Sequence, residues 1–370
     1  MSKEVDLLII GAGMAGLTAA ETAGGRELQV KVIASGYGCS QASSGTIDVL
    51  GQYANKKVVD LEETLGGFIE RNPCHVYAVA GRETVLSVLS DFQRRSDGLY
   101  VGKDGQNMEV ITPLGTCKTT YLIQFTMRNA SFNLLSEGKS LVVAVPGLLG
   151  YAPHIIKGKM EEKGINVKMA KLKLAVTSPF QLATYLEANP ETLISELKEA
   201  NASSYDWVIL PPILGITNVK KVWQIVEESL KTNIVELPSF PPSVPGKRLH
   251  ILLKRRCEEK GVSVVLGEVA KEVKIKERRV KEVLTSKGRY SPRALVLSTG
   301  WALTNVLKIK GVSPVQKTKG KSRMVRHEYI ENLFFAISPV SYEEKAGLGA
   351  AMIAGYLAGK AAVDYLGGGR

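Results

Sequence analysis

Close to its start the chain runs Val5-Asp6-Leu7-Leu8-Ile9-Ile10, then Gly11-Ala12-Gly13-Met14-Ala15-Gly16, then Leu17-Thr18-Ala19-Ala20. An apolar run, a glycine-spaced turn and a small-residue stretch in that order predict a buried strand, a tight turn and a helix. Gly11 permits the turn, Gly13 lets backbone N–H groups approach a phosphate, and Gly16 lets the helix pack closely on the strand. The first helical residues, Met14 and Ala15, would then offer unpaired donors at the positive end of the helix. The spacing points to a nucleotide phosphate.

Gln29-Val30-Lys31-Val32-Ile33 reads as the second strand, after a helix stop at Gly24-Gly25. Dinucleotide folds expect an Asp or Glu at its end to hold an adenosine ribose. Ala34-Ser35-Gly36 stands there instead. Three ligand states stay open on that spacing: FMN, FAD held by other contacts, or none. A small-residue loop, Ser40 to Thr46, follows.

With 370 residues and 45% hydrophobic composition, the chain can bury a sizeable core, and two domains are expected. Lys3, Glu4 and Asp6 give no cationic-then-apolar leader, and the apolar stretch Gly347–Gly359 is cut by Lys360, so a cytoplasmic or peripheral protein is expected. Cys39, Cys74, Cys117 and Cys257 lack CxxC spacing, and four dispersed histidines form no ligand set, so no metal centre is expected. The net charge of +12 is concentrated late: Leu307 to Arg326 holds seven Lys/Arg and no acid, and Lys271 to Arg293 nine against three Glu. Such segments suit an acidic partner or lipid headgroups, or are a solvated face. They lack interleaved aromatics, so nucleic acid is not expected as a partner.

Further along, helical periodicity marks Glu83–Phe92, and a strand Leu141–Val145 precedes a helix near Pro153–Lys163. Strands are expected at Ile165–Leu172, Trp207–Leu210 and Ile234–Leu237, with a helix Asn218–Leu230 capped by Asn218. Alternating strands and helices imply a largely parallel sheet. The last third reads as a helix Lys247–Lys260, a strand Val262–Leu266, a hairpin Glu272–Thr285 turning at Lys276–Arg279, strands Ala294–Gly300 and Asn332–Ser338, and a closing helix Gly347–Tyr365.

The GxGxxG turn, the late Ser298-Thr299-Gly300, the Asn332-Leu333-Phe334-Phe335-Ala336-Ile337 strand and the Gly347-Leu348-Gly349-Ala350-Ala351 helix resemble, in order, flavoproteins of the succinate dehydrogenase and fumarate reductase type. Ser43–Leu50, Thr112–Thr116, Leu237–Leu249 and Glu331–Phe334 bring the chain closest to the B-subunit family of anaerobic glycerol-3-phosphate dehydrogenase. The resemblance implies an α/β fold: a flavoprotein-type, Rossmann-like FAD/NAD(P)-binding domain from about 1–50 and 241–370, with an inserted α/β cap-like section at 51–240. It implies FMN, with FAD as the alternative. It also implies a catalytic FAD subunit and an iron–sulfur anchoring subunit as partners, with a small phosphorylated substrate, glycerol 3-phosphate, oxidised towards quinone. Membrane association would be peripheral and through the partner.

The cofactor-binding residues expected on these grounds are Gly11, Gly13, Met14, Ala15, Gly16, Ser35, Ser43, Ser44, Gly45, Thr46, Thr299, Gly300, Ser338, Gly347 and Gly349. Ser338-Pro339 stands where the group commonly carries Gly-Asp. Arg248 offers a fork for a substrate phosphate, and His327 a proton-transfer group near neutral pH. A stand-alone FAD oxidoreductase on another small hydroxy substrate, or a scaffold without flavin, remain as rival readings.

Overall fold

The computed structural model describes residues 2–174, 178–300, 308–309, 325–336 and 347–367. These divide into two compact units. The first comprises Met1–Ser40, Glu62–Asp91 and His250–Arg370; the second comprises Gln41–Leu61 and Phe92–Leu249. Glu62–Asp91 thus groups with the first unit, where the sequence placed it in the insert.

In the first unit the strand Lys3–Ile10 lies between Val30–Ala34 and Arg289–Leu297, parallel to both. Ser263–Leu266 extends the parallel sheet on one side and Leu333–Phe335 pairs with Arg289–Leu297. The antiparallel hairpin Ala270–Lys276/Arg279–Thr285 completes it together with Lys308–Ile309. Val5–Ile10 and Ala294–Leu297 are therefore neighbours in one sheet, because both are apolar runs that end at the same edge. The hairpin turns on Glu277 and Arg278, both left-handed (φ 53° and 56°), which matches the twist of the strands although neither residue is glycine.

The helix Met14–Ala23 packs against the closing helix Leu348–Gly367, and small residues make this possible. A side chain at Gly359 would lie 2.6 Å from the Ala19 carbonyl, and one at Gly355 would run into the Ala15 carbonyl. The buried pair Arg256–Glu21 (2.7 Å) and the bond from Cys257 Sγ to the Leu17 carbonyl tie the helix residues from His250 onward to the same first helix. Burial among these groups pushes the Cys257 thiol up to about 12. Among the described residues no helix is long and apolar enough to cross a membrane.

The second unit carries its own four-stranded parallel sheet, ordered Val167–Lys171, Ser140–Ala144, Trp207–Leu210, Asn233–Glu236. Alternate residues feed two cores. Leu141, Val143, Val208, Leu210 and Ile234 pack with residues of the helices Pro179–Ala188, Pro190–Glu199 and Val219–Leu230. Val142, Ile209 and Val235 face the helix Pro153–Glu162 and the hairpin residues Val110 and Ile111. Both faces are covered, which is why these strands read as continuous apolar runs. Asn218 precedes the helix Val219–Leu230 without a side-chain cap of its own; the carboxylate of Glu187 instead accepts from the amides of Ile216 (2.6 Å), Thr217 (3.0 Å) and Asn218 (2.8 Å). Thr112–Thr116 closes the hairpin Met108–Ile111/Cys117–Thr120 by amide–carbonyl bonds between Thr112 and Thr116 and between Gly115 and Thr112.

Candidate functional site

The glycine-rich turn lies at the carboxyl end of the first unit's parallel strands, where ligands bind in such sheets. Gly11 is left-handed (φ 119°), and its missing side chain makes room for Ser298, whose hydroxyl bonds the carbonyls of Ile10 (2.9 Å) and Gly11 (3.1 Å). Gly16 leaves no space between the helix and the Gly11 carbonyl. Gly13 differs: among the described residues, a Cβ built there meets nothing within 4 Å. It is the N-cap of the helix Met14–Ala23 and, being glycine, has no side chain of its own to cap the first turn. That arrangement presents backbone donors to open space, as an anion requires.

Two hydroxyls adjoin this turn. Thr299 follows Ser298, and among the described residues its buried Oγ1 has no hydrogen-bond partner. Ser40 is 2% exposed with its Oγ likewise unpartnered. It lies two residues beyond Gly38, whose missing Cβ would sit 2.8 Å from the Gly13 nitrogen. Buried hydroxyls without partners are uncommon in folded proteins and mark places where a ligand or water completes the bonding. The donor set fits a flavin phosphate. Ser40 was not singled out by sequence; its burial two residues after a left-handed glycine is the signal.

Other expected contacts are placed as follows. Met14 is buried and accepts from Thr18 Oγ1, Ala15 is half-buried, and Ser35 is exposed at the end of its strand. Gly300 is left-handed (φ 69°), and a Cβ built there meets nothing within 4 Å among the described residues. Gly347 and Gly349 lie at the start of the closing helix, Gly349 buried. Ser338 and most of Leu307–Arg326 lie outside the described residues. The exposed cations of the other basic stretch are in part paired, Lys274 with Glu282 (2.8 Å) and Lys281 with Glu277 (3.2 Å), as on a solvated face.

Two expectations are corrected by geometry. Arg248 is not a substrate fork. Its side chain is fully buried in the second unit, and it donates to both oxygens of Glu236 (2.6 and 3.1 Å), Gln124 Oε1 (3.2 Å) and the Gly215 carbonyl (2.8 Å). Glu236 also accepts from Thr126 Oγ1 and the Leu214 amide (both 2.8 Å), so the network is closed. His327 lies beside the amino end of the strand Leu333–Phe335, its amide bonded to the Leu333 carbonyl (2.9 Å). Its Nδ1 accepts from the amides of Tyr329 (3.0 Å) and Ile330 (3.1 Å), and burial lowers its pKa; it stabilises a turn.

Ser43, Ser44, Gly45 and Thr46 belong to the second unit, where Ser43–Leu50 meets Leu237–Leu249. Gln124 Nε2 donates to the Pro245 carbonyl (2.8 Å), Tyr100 OH donates to the Gly45 carbonyl (2.9 Å), and a side chain at Gly246 would lie 2.9 Å from the Ser43 carbonyl. The Ser44 and Thr46 hydroxyls converge on Lys118 and Asp48. Lys118 Nζ lies 3.1 Å from Ser44 Oγ, 2.9 Å from Thr46 Oγ1 and 2.8 Å from Asp48 Oδ2. Thr46, 2% exposed, also donates to Asp48 Oδ1 (3.1 Å), which commits its hydroxyl within the protein. Lys118 escaped the sequence reading because it sits on a short strand remote from the loop it meets.

Residues 6–167 match the FAD binding domain family. The chain is 29% identical over 286 residues to the B subunit of anaerobic glycerol-3-phosphate dehydrogenase from Aliivibrio fischeri, covering 71% of this chain and 63% of that protein. It is 27% identical over 326 residues to the B subunit from Actinobacillus succinogenes, covering 82% and 75%. Among solved structures, glycine oxidase from Bacillus cereus covers 99% of this chain and 96% of its own at 11% identity, with a TM-score of 0.37. The chain has a flavoprotein-type α/β fold and is similar in sequence to the B subunits of anaerobic glycerol-3-phosphate dehydrogenase.

Proposed function

We propose that this chain is the flavin-bearing subunit of a complex that oxidises glycerol 3-phosphate to dihydroxyacetone phosphate and passes the electrons towards quinone. The observation that carries the reading is the open, uncapped helix start at Gly13 on the carboxyl edge of a parallel sheet. The likeness to B subunits supplies the reaction class. A bound flavin supplies the hydride acceptor. The backbone from Gly11 to Gly16, with the hydroxyls of Ser40 and Thr299 and the backbone at Gly300, would hold its phosphate end; Gly347 and Gly349 would set a helix start beside it.

FMN is the flavin proposed. The strand Val30–Ala34 ends without a carboxylate, and Glu268, whose amide bonds the Ala34 carbonyl, is engaged by Thr285 (2.6 Å) and Tyr290 (3.2 Å). Glu268, buried and engaged in this way, is not offered to an adenosine ribose. The proposed partners are a catalytic FAD subunit and an iron–sulfur subunit that anchors the assembly to the inner face of the cell membrane; the chain's +12 charge suits docking of this kind.

Dye-linked turnover of glycerol 3-phosphate, by the isolated chain and by the reconstituted complex, tests the role. Turnover by the complex well above that of the lone chain is expected. Equal rates would replace this reading with a stand-alone oxidoreductase.

A further inference from the structure

We propose that His250 is a further contact of the flavin phosphate, donating a ring N–H that favours a terminal phosphate over the bridged pyrophosphate of a dinucleotide. The proposal rests on the flavin reading above and names the side chain that reads the phosphate's charge. His250 is 1% exposed, and among the described residues neither of its ring nitrogens has a hydrogen-bond partner. Burial, with Lys254 nearby, lowers its pKa, so at neutral pH the ring is uncharged and holds one N–H donor and one acceptor. An unpaired buried donor is costly, and such a group marks a place where a ligand or water completes the bonding.

Two lines of geometry put the ring beside the glycine-rich turn. The helix Val244–Glu259 leads into the strand Ser263–Leu266, which is parallel to Val30–Ala34. It therefore runs in the same direction as the helix Met14–Ala23, to which Arg256 and Cys257 tie it. The ends of the two are level, since the Gly25 amide donates to the Lys260 carbonyl (2.9 Å). At 1.5 Å per residue, His250 stands about 15 Å before Lys260 and Gly13 about 16 Å before Gly24. The imidazole and Gly13 are thus level at the carboxyl edge of the sheet. His250 shares a helix face with Cys257, whose Sγ bonds the Leu17 carbonyl, so that face is turned to the first helix. The second line runs through the loop after Val30–Ala34. Tyr37 packs edge-on against His250 with ring centroids 5.1 Å apart, and its neighbour Gly38 lies against the Gly13 backbone.

The charge of the ligand decides what the imidazole adds. A terminal phosphate ester carries nearly two negative charges and three free oxygens. Each phosphorus of a bridged pyrophosphate offers one charge and two. Beyond the backbone donors of the helix start and the hydroxyls of Ser40 and Thr299, the His250 N–H provides for the extra oxygen. A hydrogen bond to an ionised acceptor is the stronger kind. FMN ends in such a phosphate, FAD has only the bridged form, and riboflavin has none.

The test titrates the full-length apoprotein with FMN, FAD and riboflavin by quenching of flavin fluorescence. Wild type, His250→Leu and His250→Gln are compared, with circular dichroism confirming the fold of each. His250→Leu should weaken FMN binding about 10- to 100-fold, the range for a hydrogen bond to a charged group, and change FAD and riboflavin binding little. His250→Gln keeps an N–H donor and should recover most of the FMN affinity. In the wild type labelled with nitrogen-15 histidine, the ring signal that is missing from His250→Gln should move on adding FMN and stay in place on adding riboflavin. Unchanged FMN binding by folded His250→Leu, an equal loss for all three flavins, or no FMN-specific movement of that signal would overturn the His250 contact and leave the flavin reading standing. A wild type that binds none of the three would overturn the flavin reading, and the contact with it.

Discussion

Replacing Arg248 with Met tests the buried network most sharply. The change removes a guanidinium whose side chain is wholly buried, together with its bonds to Glu236, Gln124 and Gly215. Glu236 keeps only Thr126 and the Leu214 amide, and remains a buried carboxylate without a counter-charge. Breaking one partner of such a pair costs about 3–5 kcal/mol, whereas replacing both by apolar groups is often close to neutral. With a urea m-value of about 2–3 kcal/mol/M, the midpoint should fall by roughly 1–2 M. Two of the three tryptophans, Trp207 and Trp223, lie in the second unit and Trp301 in the first, so the urea melt is read by fluorescence in a Trp301→Phe background, where the signal reports on the second unit. The double variant Arg248→Met/Glu236→Leu should recover most of the loss. A single variant as stable as the wild type, but with a raised KM for glycerol 3-phosphate, would refute the structural role and return Arg248 to the substrate.

Glu187 is held at about 2: burial alone would raise it, and the Thr217 hydroxyl with three amides more than reverses this. A depressed carboxylate stabilises the fold above its unfolded pKa near 4.5 and loses that contribution as pH falls towards 2. Allowing for its partial exposure, Glu187→Gln should lower neutral-pH stability of the second unit by about 1–2 kcal/mol and flatten its acid denaturation curve between those values; an unchanged curve would count against the helix-capping role. Gly359→Leu should separate the first and closing helices and lower the first unit's melting temperature, read by calorimetry, with no shift if the helices are not packed through these glycines. Replacing Glu277-Arg278 by Asn-Gly should stabilise the hairpin by about 0.5–1 kcal/mol, measured by urea melts, because both positions are left-handed.

Much of the fold was legible. The strands Lys3–Ile10 and Arg289–Leu297 announce themselves as apolar runs that stop at Gly11 and at Ser298-Thr299-Gly300, and their parallel pairing follows from the topology such motifs impose. The hairpin around Glu277 was readable from alternation and charge. What stayed hidden depends on distant partners. Arg248 looks like a solvent-facing fork until Glu236 and Gln124 close around it. Asn218 has the residue type of a helix cap, yet the acceptor arrives from Glu187 on another helix. The helix Val244–Glu259 begins earlier than Lys247, because Pro245 in a first turn lacks an N–H that would have been unpaired anyway. Lys118 joins Ser44 and Asp48 only through a hairpin whose register no local pattern fixes.

The most direct measurement is the visible spectrum of the purified chain and of its Gly13→Val variant, followed by identification of the released chromophore. The account predicts a yellow wild type releasing FMN in near-stoichiometric amount, and a folded, colourless variant, since a Val side chain would occupy the open space at the helix start. A colourless wild type, or full flavin retained by a folded Gly13→Val protein, would contradict it.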